Sequence, residues 1–311
     1  MHTDDLPDLP FGVSPRFPYK GGKNMNPDVL SAIRSGMGGF SKGQKRIAAY
    51  ILDSYDKAAF MTASKLGKTT QVSESTVVRF AAELGYKGYP EMQKALQEVV
   101  RTRLTSVQRI EAADSQFMGQ DVVSMVLQSD MNTLRLTGEA LDRDALNCAV
   151  DAILSAKNIY ILGVRSSNIL ARFLNFYLRI MLGNVHLVEP SATSEIFEQL
   201  AHAGKGDAVI GMSLPRYSRR TARAMQFVKN NGAACIAITD NLQAPLAKVS
   251  DYTLIAKSDM VSFVDSLVAP LSVVNALVVA ISQKMGKEFS QTMAEMESIW
   301  EEYDIYEHVD I

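Results

Sequence analysis

The chain has 311 residues, of which 47% are hydrophobic and 21% charged, enough for about two domains of ~100–200 residues each and too apolar for broad disorder. Its net charge of −2 conceals a segregation: residues 20–110 hold 15 Lys/Arg against 7 Asp/Glu, while residues 111–311 hold 16 against 24. A basic front third on an acidic body points to two jobs, one of them binding a polyanion, and two cysteines far apart in apolar surroundings, Cys148 and Cys235, argue against a disulfide framework and for a reducing compartment.

Residues 1–24 read as a flexible tail, with Phe11, Phe17 and Tyr19 able to dock. Asp4, Asp5, Asp8 and four prolines leave no apolar core for a signal peptide, so a soluble, cytoplasmic protein is expected. Helices follow over residues 25–104. Asn26-Pro27 starts one through Leu30 and Ile33. Ser41 and Gln44 form a capping box ahead of Ile47, Ile51 and Leu52, and a short helix is expected near Thr62–Gly67. Ser73 caps the next, turning Val77, Phe80, Ala81 and Leu84 inward before Gly85 ends it. Tyr89-Pro90 breaks the chain before a helix through about Arg103. Residues 105–120 read as a linker.

From Asp121 helices come first, one of them over Asp142–Ala156. Five short apolar runs then alternate with helical segments: 159–162, 185–188, 208–212, 235–238 and 252–255. Such runs separated by helices predict a five-stranded parallel sheet flanked by helices, spanning residues 121–290 with an acidic tail over 291–311. The apolar stretch Val261–Ile281 contains Asp265, Pro270 and Asn275 and is read as a buried helix after a loop, at a subunit interface, rather than a membrane span. The expected fold is therefore an all-α front domain and an α/β rear domain.

Met61 to Phe80 has the layout of a helix-turn-helix: a short helix, a polar turn and a Ser-capped second helix. Ser75, Thr76 and Arg79 can face outward with Ser73 at the cap, where hydroxyls donate to phosphates and an arginine one turn later reaches guanine or phosphate. Lys65 and Lys68 on the first helix can clamp the backbone of a double-stranded DNA operator. The alternative is a helical bundle whose exposed face is merely basic; the charge balance favours nucleic acid.

Ser73–Tyr89, reading SESTVVRFAAELGYKGY, resembles the signature of the RpiR/MurR-type transcriptional regulators, S-x-[AS]-T-[VI]-x-R-F-x-x-x-L-G-[FY]-x-G-[FY]. Gln44–Ile51 resembles the family as well. The resemblance implies a helix-turn-helix domain followed by a sugar isomerase (SIS) domain that senses a metabolite. Lys65-Leu66-Gly67 departs from the family's usual Leu-Ala, and a glycine there is expected to weaken helix packing modestly.

Two rear loops follow apolar runs. Gly163, Arg165, Ser166 and Ser167 sit at a strand-to-helix turn suited to an anion, though an ordinary tight turn has the same residues, and the spacing is not that of a dinucleotide fingerprint. Ser213, Arg216, Tyr217, Ser218 and Arg219, with Arg220 and Arg223, crowd cations into a first helical turn, which opposes the helix dipole unless an anion occupies it. Solvated arginines paired with Glu195 or Glu198 are the alternative. Residues 142–285 resemble a SIS domain, whose loops usually read G-x-G-x-S and S-x-S-G-x-T. Gly163, Ser167, Ser213 and Ser218 match. Arg165 replaces a glycine, Pro215 a serine and Arg216 a glycine, which points to a branch of its own: its site binds an anionic metabolite, a sugar phosphate or another acid, or, as the alternative, binds nothing. The resemblance also implies a homo-oligomer, dimer or tetramer.

A sugar-phosphate isomerase or lyase with an accessory helical domain is the alternative function. Isomerisation needs a base; His186 reads as packed in a strand, and Glu195, the best carboxylate, as a helix charge. No cofactor fingerprint and no metal-ligand spacing is present. The sequence therefore reads as a DNA-binding transcriptional regulator, not an enzyme.

Overall fold

The computed structural model describes residues 29–103, 105, 107, 108, 110, 121–189, 192–258 and 264–306. The tail, the Asn26-Pro27 helix start and most of the linker expected from sequence lie outside the described residues. Packing separates two compact units, which part after Leu96, inside a helix that runs on to Arg103.

The first unit is all helical: α1 (Val29–Gly36), α2 (Lys42–Asp53), α3 (Tyr55–Ala58), α4 (Ala63–Thr70), α5 (Glu74–Glu83) and α6 (Tyr89–Arg103). The capping box forms as read, Gln44 N–H donating to Ser41 Oγ at 3.4 Å and Ser41 N–H to Gln44 Oε1 at 2.9 Å, so two otherwise orphaned donors are satisfied. Ile33, Ile47, Ile51, Leu66, Val77 and Phe80 are buried at one centre, where Phe40 meets Phe80 edge-on at 5.1 Å. Tyr89-Pro90 does not break the chain; α6 begins there, with Pro90 in the first turn where its missing N–H costs nothing. Leu84, expected inside, is only half-buried.

Beyond the last turns of α6, the second unit continues with α7 (Val122–Ala140) and α8 (Arg143–Leu154). There follow β1 (Ile159–Gly163), α9 (Ser166–Met181), β2 (Val185–Val188), α10 (Thr193–Gln199), β3 (Ala208–Met212), α11 (Arg219–Asn230), β4 (Ala234–Thr239), β5 (Tyr252–Ile255), α12 (Val268–Met285) and α13 (Lys287–Glu302). The five strands form one parallel sheet in the order β2-β1-β3-β4-β5. Alternate residues serve opposite faces, as the two-residue strand period demands. Ile159, Ile161, Ile210, Met212 and Ile238 pack against α8, α9 and α12, and Leu162, Val209, Cys235 and Ala237 against α10 and α11.

Helix α12 is long and apolar enough to cross a membrane by length and composition, yet its Val273, Val274, Leu277 and Ile281 are buried in the core of this unit. It starts at Val268, after a non-helical segment that holds Asp265, as the reading of a helix after a loop expects.

Candidate functional site

In the first unit the chemistry-bearing residues gather around α4 and α5. Thr62 Oγ1 caps α4 by accepting from Lys65 N–H at 3.2 Å, and the helix closes at Gln71 in the left-handed region, φ 54° and ψ 47°. The turn folds back so tightly that Val72 N–H donates to Gly67 O at 2.9 Å, and a Cβ on Gly67 would stand 2.9 Å from Val72 O. The glycine that read as a weakness in α4 is therefore what lets the turn approach it.

Ser73 then caps α5, its Oγ accepting from Thr76 N–H at 3.3 Å and lying 2.9 Å from Ser75 Oγ and 2.8 Å from Thr76 Oγ1. Arg79 Nε donates to Ser75 O at 3.3 Å, laying the guanidinium back along the helix toward its start. Val77, Phe80 and Ala81 are buried, while Lys65, Lys68, Ser73, Ser75 and Arg79 are exposed and Thr76 half-buried. The structure adds Val78, exposed on the same helix; an apolar side chain there can contact a thymine methyl, and only the helical phase relative to Ser75 and Arg79 could have marked it.

In the second unit β1 and β3 are neighbours and parallel, so the loops leaving their carboxyl ends meet. They enclose a cleft of about 590 Å³ walled by the starts of α9 and α11. Arg165, Ser166, Ser167, Ser213, Arg216, Tyr217, Ser218 and Arg219, all assigned from sequence, line it together. Gly163 does not; it sits behind the wall, where a Cβ would come within 2.4 Å of Ser167 O. Its part is to let α9 close on the sheet. Val164, Leu214, Pro215, Arg220 and Asp265 complete the lining. Asp265 lies 45 residues past the second loop's Arg220, and no local pattern ties them.

The hydroxyls have defined partners. Buried Ser213 Oγ accepts from Ser218 N–H at 3.0 Å, and Ser218 Oγ caps α11 by accepting from Thr221 N–H at 3.1 Å. Tyr217 Oη donates to Asp240 Oδ1 at 2.8 Å and accepts from Asn241 Nδ2 at 2.9 Å. Burial, and then the Asp240 carboxylate, push the Tyr217 hydroxyl far above the usual tyrosine range, so it remains a donor. Four arginines against one carboxylate make the cleft cationic. With two helix N-termini pointing into it, the arrangement suits an anion. The Thr221 hydroxyl, fully buried one turn into α11, has no partner among the described residues.

The alternative catalytic residues lie elsewhere. Glu195 Oε2 accepts from Ala192 N–H at 3.2 Å at the start of α10, and His186 stacks on Tyr160 at 5.2 Å. Neither lines the cleft.

Residues 27–102 match the helix-turn-helix domain model of the rpiR family and residues 152–280 the SIS domain model. Over 238 residues the chain is 30% identical to an uncharacterized HTH-type transcriptional regulator of Haemophilus influenzae, covering 73% of this chain and 79% of the relative. The chain belongs to the RpiR family of transcriptional regulators. It is 26% identical over 273 residues to the HTH-type transcriptional regulator HexR of Escherichia coli, covering 86% of this chain and 92% of HexR. The structure of the Vibrio vulnificus NanR protein complexed with ManNAc-6P superposes with a TM-score of 0.55 at 25% identity, over 88% of this chain and 97% of NanR.

Within this RpiR-family chain Arg165 keeps a backbone of φ 57° and ψ −129°, a region that favours glycine.

Proposed function

We propose that this RpiR-family regulator binds an operator through Lys65, Lys68, Ser73, Ser75, Thr76 and Arg79 and senses an anionic metabolite, a sugar phosphate or another acid, in the cleft between α9 and α11. Residues 25–104 serve as the DNA-binding domain, 105–120 as the linker and 121–290 as the effector domain. The observation that carries the reading is the convergence of two helix N-termini and four arginines on one cleft, in the unit that follows a helix-turn-helix. NanR's complex with ManNAc-6P supports a phosphorylated ligand; Arg165 and Arg216 support a ligand of greater negative charge than the hydroxyl-lined pattern would hold.

The chain acts in the cytoplasm as a regulator rather than an enzyme, a reading supported by relatives named as transcriptional regulators. It works as a homo-oligomer. Leu127 and Met131 on α7, Ile169 and Phe176 on α9 and Val268 and Val279 on α12 are all exposed apolar residues, on helices that α12 joins into one layer; a second copy covers such a face in a symmetric regulator that reads two half-sites.

Fluorescence anisotropy with DNA from the gene's own upstream region, against a scrambled duplex, tests the reading. Preference for the native duplex, relieved or strengthened by a sugar phosphate or sugar acid, is the expected result. Equal weak binding to both duplexes, together with an empty genomic selection, would sink it.

A further inference from the structure

Helix α7 is the first element of the second unit after the linker, and two hydrogen bonds of very long sequence separation tie it to the segments that build the cleft. The first belongs to a chain that starts at a lining residue. Tyr217 Oη donates to Asp240 Oδ1 at 2.8 Å, and Asn241 Nδ2 braces both, 2.9 Å from Tyr217 Oη and 3.1 Å from Asp240 Oδ2. Asp240, 1% exposed, receives Lys257 Nζ on its main-chain carbonyl at 2.9 Å. The main-chain N–H of Lys257 donates to Thr137 Oγ1 at 2.9 Å, and that hydroxyl donates on to Thr133 O at 2.8 Å within α7. The second tie starts beside lining residue Asp265: Ser266 Oγ donates to Asp130 Oδ1 at 2.6 Å, seven residues before Thr137 and so on the same helical face.

Thr137 is 5% exposed, so water cannot replace a lost partner and a shift at one end of the chain must be taken up at the other. Arg216, Tyr217 and Ser218 are the end of the chain that meets the ligand: an anion bound by Arg216 and the start of α11 draws on the position of Tyr217, whose hydroxyl is held by Asp240, and the Asp240 carbonyl in turn holds Lys257. We propose that Lys257 and Thr137 are positioning residues that transmit the state of the cleft to α7, and along the chain to the linker that leads to the DNA-binding unit. They touch neither ligand; their part is the coupling free energy between the two sites. The inference rests on the regulator reading and goes beyond it by naming the route.

Coupling is reciprocal, so DNA itself serves as the probe. Hydrogen exchange of the full-length chain is followed by mass spectrometry over residues 213–221, with and without the upstream duplex or the duplex recovered by genomic selection. In the wild type, DNA is expected to change exchange in this loop by roughly fivefold or more, the low end of ordinary allosteric coupling. Lys257→Met and Thr137→Val are expected to bind DNA with a dissociation constant within about threefold of wild type while the loop no longer responds, and Thr137→Ser, which keeps the hydroxyl, is expected to restore the response. Lys257→Met leaves the main-chain hydrogen bond to Thr137 in place, so it carries the test if Thr137→Val does not fold. The route is wrong if the variants bind DNA and the loop responds as in wild type, or if wild type binds DNA with no change in the loop. A wild-type chain that binds no duplex removes the regulator reading, and the route with it.

Discussion

Arg165 and Gly163 stand two positions apart and answer to opposite constraints. A side chain at φ 57° and ψ −129° crowds its own backbone at a cost of roughly 1–3 kcal/mol, which the loop bears to place a guanidinium at the cleft. Arg165→Gly is therefore expected to raise unfolding stability by about 1 kcal/mol in urea titration, while weakening the response to an anionic effector. Gly163→Ala should do the reverse, because its Cβ would meet Ser167 O at 2.4 Å; a loss of roughly 1–3 kcal/mol in the same titration is expected. That Arg165 replaces a glycine is visible in the sequence. That the backbone adopts a conformation favouring glycine is not, since a dihedral angle depends on how α9 closes on β1.

Among the elements, those defined by their own residues were legible. The Ser41 and Gln44 capping box and the Ser73 cap follow from hydrogen bonds spanning three residues, and the strands expected at 185–188, 208–212 and 252–255 keep those limits. Ser73→Ala is expected to cost about 1 kcal/mol and to weaken DNA binding by loosening the start of α5. Tyr89 reads locally as part of a break because its role is distant: its hydroxyl donates to Met61 O at 2.6 Å, beside Gln93 Nε2 on the same carbonyl at 2.8 Å. Burial raises this hydroxyl to about 12. A group whose folded value lies above its unfolded one stabilises fully below the unfolded value and loses that contribution as pH rises through the folded value. The first unit should thus weaken between about pH 10 and 12, a window that thermal melts of wild type and Tyr89→Phe would separate, the variant lacking that loss.

For the molecule as a whole, charge and apolar surface make two expectations. The exposed lysines and Arg79 should give DNA affinity a steep salt dependence. With about six phosphate contacts the loss is ~10³-fold between 50 and 200 mM salt. Arg79→Ala should cost roughly 1–3 kcal/mol on the operator and little on scrambled DNA; an equal loss on both would make it a phosphate contact. Phe176, 61% exposed on α9, is expected to be covered by a second copy, so Phe176→Glu should lower the mass measured by light scattering.

The chain's identity as a regulator rests on short-range pattern: the spacing of Ser73, Thr76, Arg79 and Phe80 within one helix, and periodicities that distinguish strand from helix. These are set by local geometry, which neighbouring residues specify among themselves. The cleft is of another kind. Residues 165–167, 213–220 and 265 meet because β1 and β3 are adjacent in the sheet and both run out at the same edge, and α7 meets Lys257 across 120 residues. Strand order and the packing of α12 against α7 and α9 are decided by which buried faces fit together, and that choice is made only when the whole chain has folded.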